Sequence, residues 1–178
     1  MTRMRSWTLG SAFGALVVAL AACVDPTPIT RAPDAVQLTS TVGLMPIPVD
    51  CPSAGRKLTR GVIGPEGGSI AVGNTVFTLP AGAVDRPQQF VLFLPPSKYL
   101  EIEVEASGHR TFQFAKPATV TVDYSRCTAP DPSLMDVAMW HVDERTGAFL
   151  ERMGGVVDPT AKTITFTTPH LSVYLMAE

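Results

Sequence analysis

Three histidines, a run of alternating glutamates and three cysteines are the side chains of this 178-residue chain with chemistry to offer. His109, His141 and His170 carry rings that can move protons or bind metals. Their spacing matches no local metal-binding pattern, which needs ligands four apart on a helix or a few apart in a loop. They are expected to be structural or surface histidines. Glu101, Glu103 and Glu105 alternate with Leu100, Ile102 and Val104, so the carboxylates share one face of a strand. Such oxygens suit Ca²⁺, but the i, i+2 spacing sets them about 7 Å apart, too wide for one ion without a loop. A solvated face is expected. Neither Gly-x-Ser-x-Gly nor Gly-x-x-x-x-Gly-Lys occurs, so the common serine-nucleophile and phosphate-loop signatures are absent. Gly64 to Gly68 lacks the following helix that a phosphate cradle requires. No cofactor and no metal is expected.

The cysteines point to an address. Met1 to Arg5 carries two arginines and no acid, and Trp7 to Leu20 is apolar without charge. That run of about fourteen residues is short for a membrane span, which needs about 20. It closes on Leu20-Ala21-Ala22-Cys23, which resembles the lipobox at which bacterial lipoproteins are cut before a lipid-bearing cysteine. The resemblance implies a signal peptide over 1–22 and lipidation of Cys23. The competing reading is a plain secretory signal. Two or more acyl chains hold a protein stably at a membrane, at about 0.8 kcal/mol per buried methylene. Val24, not Asp, follows the cysteine, which by resemblance to enterobacterial sorting favours the outer membrane over the inner. Cys51 and Cys127 then form an even pair in a chain that leaves the reducing cytosol. A disulfide is expected, closing a loop of about 77 residues and contributing about 4 kcal/mol in the chain-entropy model. The alternative is two buried free thiols.

Without Arg3 and Arg5, 12 of the 14 basic residues remain against 16 acidic ones, a net charge of −4. A mildly acidic surface of mixed sign carries no footprint for nucleic acid.

The elements that must position these groups are strands. Residues 23–57 hold Pro26, Pro28, Pro33, Pro46, Pro48 and Pro52 and are expected to form an extended tether, with 36–45 as a possible edge strand. From Leu58 the texture changes to short apolar runs punctuated by Gly and Pro. Strands are expected at Ser69–Val72, Thr75–Leu79, Phe90–Leu94, Leu100–Glu105, Thr111–Phe114, Ala118–Tyr124, Met135–Val142, Phe149–Met153, Lys162–Thr167 and Leu171–Met176. Phe90–Leu94 is continuously apolar and belongs in the middle of a sheet. Asp143-Glu144-Arg145-Thr146-Gly147 and Asp158-Pro159-Thr160-Ala161 carry turn chemistry between antiparallel strands. No stretch after the signal shows apolar residues at helical spacing. Nine or ten short strands at turn-rich intervals predict an all-β antiparallel sandwich over 58–178.

Ile63-Gly64-Pro65-Glu66-Gly67-Gly68-Ser69-Ile70, followed by Phe77-Thr78-Leu79-Pro80-Ala81-Gly82-Ala83-Val84, resembles the ZU-five domain. This β-sandwich occurs in ankyrins, Unc-five netrin receptors and zonula occludens protein. Phe114 to Val120 and Pro169 to Tyr174 fit bacterial extracytoplasmic relatives. The resemblance covers about residues 60–178 and implies a protein–protein interaction module. It also singles out His170-Leu171-Ser172, because some ZU-five proteins cleave themselves at His-Phe-Ser near the end of the domain. By that likeness Ser172 would attack the preceding carbonyl and His170 would take its proton. Leu171 departs from the motif, and an ordinary strand start explains the same residues.

The sequence therefore predicts a non-catalytic sandwich, bound to a bacterial membrane through lipid on Cys23, with an unknown protein partner. Self-cleavage at Ser172 and carbohydrate binding are the alternatives. The few aromatic residues (two Trp, three Tyr) weigh against the last.

Overall fold

A computed structural model describes residues 45–109, 111–127, 131, 133 and 135–178. The expected signal peptide, Cys23, residues 24–44 of the proline-rich tether and all but the last residue of the possible edge strand 36–45 lie outside the described residues. The described chain is an all-β sandwich of two antiparallel sheets, with no α-helix among its described residues.

The strands are β1 (Lys57–Ile63), β2 (Gly68–Val72), β3 (Thr75–Leu79), β4 (Gln88–Leu94), β5 (Glu101–Ala106), β6 (Gln113–Asp123), β7 (Ala138–Val142), β8 (Phe149–Gly154), β9 (Val156–Asp158), β10 (Thr163–His170) and β11 (Val173–Ala177). The first sheet runs β1-β4-β5-β11-β7-β8 and the second β2-β3-β6-β10-β9. Period-two alternation makes the core between them. Phe90, Leu92, Ile102, Val104, Met139, Tyr174 and Met176 face inward from the first sheet. Phe77, Val120, Val122, Ile164 and Phe166 meet them from the second, and all are buried. Burying one such side chain contributes about 1.5–3 kcal/mol.

Eleven strands form where nine or ten were expected. The additions are β1, whose polar residues and Gly61 weaken the strand signal, and β9, only three residues long. The runs Thr111–Phe114 and Ala118–Tyr124 were expected as two strands, but Gln113–Asp123 is one, running through Pro117. Proline cannot donate to a ladder. It is accommodated because the β6–β10 register breaks between Thr168↔Ala118 and His170↔Gln113. β4 lies within its sheet, between β1 and β5, with Phe90 and Leu92 inward and Val91 and Phe93 half-buried outward.

The segment before β1, read from the sequence as tether, is attached to the sheet. Ile47 and Glu178 exchange backbone hydrogen bonds (3.1 and 3.0 Å), Val49 N–H donates to Met176 O (3.0 Å), and Cys51 N–H donates to Lys98 O (2.7 Å). Cys51 and Cys127 are disulfide-bonded. Beside them the Arg126 guanidinium donates to the carbonyls of Pro52, Ser97 and Tyr99.

The two glycine-rich motifs touch. Gly67 has φ 82° and Gly82 φ 78°, a region open mainly to glycine. Gly82 N–H donates to Pro65 O (2.8 Å). A Cβ on Gly67 would lie 2.6 Å from Leu79 O, so the Pro65–Gly68 loop seats directly on the turn after β3.

Candidate functional site

His141, Glu151 and His170, distant in sequence, meet at one side of the sandwich. β7 and β8 form a hairpin whose turn is built by Asp143. Its Oδ1 accepts N–H groups from Arg145 (3.1 Å) and Thr146 (2.7 Å), while Gly147 takes φ 69°. That turn sets the register in which His141 stands opposite Glu151. His170 arrives from the other sheet, at the end of β10. β9 pairs only with Thr163–Thr165, so the last residues of β10 have no β9 neighbour and approach β8.

The three side chains offer ligand atoms that all lie within 4.8 Å of one another. His170 Nε2 is 3.7 Å from Glu151 Oε2, and the two imidazole centroids are 4.7 Å apart. His141 and His170 are partly buried, and Glu151 is exposed. Burial, and then the neighbouring His170, hold His141 below the ordinary histidine pKa, favouring its neutral form.

Tyr174 of β11 orients His170. Its hydroxyl donates to the main-chain oxygen of His170 (2.6 Å), lies 2.7 Å from Thr168 Oγ1, and stands 3.5 Å from His170 Nδ1. Burial pushes the phenol pKa up, so the proton stays on the oxygen. The phenol thus holds the backbone and the Nδ1 side of His170, while the Nε2 side of the ring faces Glu151.

Ser172 belongs to other surroundings. It lines an open depression of about 500 Å³ with Glu103, Glu105, Glu144, Leu171 and Val173. No hydrogen bond joins it to His170 among the described residues, and the His170 ring is engaged by Tyr174 and Glu151. The backbone on either side is tied down: Leu171 N–H donates to Phe112 O (3.1 Å), and Ser172 O accepts from Val104 N–H (3.2 Å).

The glutamates lie on the outer face of the first sheet, as the alternation requires, yet Glu103 is half-buried. Burial, then Glu105 and the other nearby carboxylates, push its pKa up to about 7. The same face carries a second apolar cluster. Val142, Val173 and Leu175 are buried beneath half-buried Tyr99, Trp140 and Phe149. Glu103 and Glu101 stand directly opposite Val173 and Leu175. Trp140 and Phe149 meet edge-to-face at 82°, which is not a flat stacking platform.

Sequence spacing missed the His141–Glu151–His170 grouping because strand pairing, not local spacing, creates it. One signal was present: the Asp143–Gly147 turn implies a hairpin that pairs the residues on either side of it. No family model matches this chain, and no curated protein matches it in sequence.

Proposed function

We propose that this protein is a lipid-anchored sandwich of a bacterial envelope that acts by binding a protein partner rather than by catalysis. The outer face of the first sheet carries the reading. Half-buried Tyr99, Trp140 and Phe149 sit beside a stripe of Glu101, Glu103 and Glu105. Partly exposed aromatic side chains are favoured anchors at interfaces. The clustered carboxylates repel one another, and a cation from a partner would relieve that repulsion. The expected occupant is therefore a protein surface that places Lys or Arg next to apolar side chains. The Cys51–Cys127 disulfide supports an exported chain. The ZU-five-like part of the reading rests on the sequence motifs at 63–70 and 77–84 and on the all-β sandwich that carries them.

Anchoring is tested by metabolic labelling with an alkynyl fatty acid. Wild type is expected to label and Cys23→Ser to remain unlabelled; an unlabelled wild type would overturn the anchor. Binding is tested by photocrosslinking from position 140 in native membranes. The partner so identified should bind the purified protein with strong salt dependence, and Glu101→Lys with Glu105→Lys should weaken it at least tenfold. Salt-insensitive binding that survives both substitutions would overturn the assignment of this face.

A further inference from the structure

We propose that His141, Glu151 and His170 bind a single divalent first-row transition cation of the zinc type. Two imidazole nitrogens and one carboxylate oxygen form a ligand set suited to such ions, and too rich in nitrogen for Ca²⁺ or Mg²⁺. Ligand bonds of about 2.0–2.2 Å in tetrahedral geometry place ligand atoms about 3.3 Å apart. The 3.7 Å between His170 Nε2 and Glu151 Oε2 is close to that, and the whole set lies within 4.8 Å. The set closes by small side-chain rotations, for which Glu151 is free because its side chain is 59% exposed.

The surroundings are arranged for a ligand role. A metal-bound histidine characteristically donates its other ring N–H to a fixed acceptor, which sets tautomer and orientation. Tyr174 stands at that position for His170, itself held by Thr168 and by the His170 carbonyl. Three protein ligands leave a fourth position for water or another donor. His141 and Glu151 come from the first sheet and His170 from the second, so the ion would tie the sheets together where β9 does not reach.

The test uses the full chain purified in detergent, stripped with chelator and titrated with Zn²⁺. Wild type should retain one equivalent after gel filtration. Co²⁺ in its place should give the visible bands of a four- or five-coordinate site. The ring proton resonances of His141 and His170 should shift on zinc addition while those of His109 do not, a reading that needs no variant. Glu151→Ala alters an exposed side chain and should weaken binding by about tenfold or more, and His170→Gln should abolish retention. Wild type that retains no zinc, resonance shifts confined to His109, or equal affinity in Glu151→Ala would each overturn the proposal and leave a simple His170–Glu151 contact.

Discussion

The hydroxyl of Tyr174 donates to the main-chain oxygen of His170 at 2.6 Å, across the tight connection from β10 to β11. It also meets buried Thr168 at 2.7 Å. One phenol thus satisfies a carbonyl and a hydroxyl at the point where the chain leaves one sheet for the other. Tyr174→Phe keeps the ring and removes this hydroxyl, while Thr168 Oγ1 still reaches the His170 carbonyl at 2.8 Å. The expected loss is that of one hydrogen bond, about 0.5–1.5 kcal/mol, read as a lower urea midpoint with an unchanged slope.

Removing the disulfide should cost about 2–4 kcal/mol. Cys51→Ser with Cys127→Ser should unfold at lower denaturant than wild type, and a reductant should lower the wild-type midpoint to that of the variant. Because Arg126 also grips Pro52, Ser97 and Tyr99, the arm should remain docked in the variant. Hydrogen exchange at Val49 and Cys51 checks this.

Glu103 should make stability depend on pH. Its folded pKa of about 7 lies above its ordinary 4.5, so the folded state holds a proton that the unfolded state releases. Its contribution is fully present below pH 4.5 and lost as pH rises through about 7. Glu103→Gln should remove that slope. Urea midpoints of variant and wild type should agree at acid pH, and the variant should be the more stable at pH 8.

Gly67→Ala should destabilise more than Gly147→Ala. Both positions have positive φ, a strain of about 1–3 kcal/mol for a non-glycine residue. At Gly67 the added methyl also strikes Leu79 O at 2.6 Å, whereas Gly147 has open space. Thermal melts of the two variants rank them directly.

The purified chain should keep its full mass after long incubation, and Ser172→Ala should behave identically. The His170 ring faces Glu151 and Tyr174, while Ser172 faces the depression beside Glu103. Loss of the seven residues Ser172–Glu178 in wild type alone would restore the self-cleavage alternative.

The strands were legible in the sequence wherever period two or turn chemistry was strong. Leu100–Glu105 shows its two faces in six letters, and Asp143–Gly147 shows its hairpin. β1 and β9 were not legible, because their residues are held by their neighbours in the sheet rather than by their own propensity. Pro117 suggested a break, since only the β6–β10 register shows that the ladder has a gap there. The histidine grouping was the least legible. His141 and Glu151 are related by a hairpin, but His170 joins them only through the stacking of one sheet on the other, and no local rule encodes that distance.

The link between Cys51 and Cys127 also decides how the body would respond to a tug on its N-terminal arm. Tension would first part the two hydrogen bonds between Ile47 and Glu178. It would next reach the bond from Val49 to Met176 and then the sulfur bridge to position 127, which encloses β1 to β6 in a covalent loop. The chain of those six strands could not be drawn out, and the extensible length would be confined to the residues after the bridge.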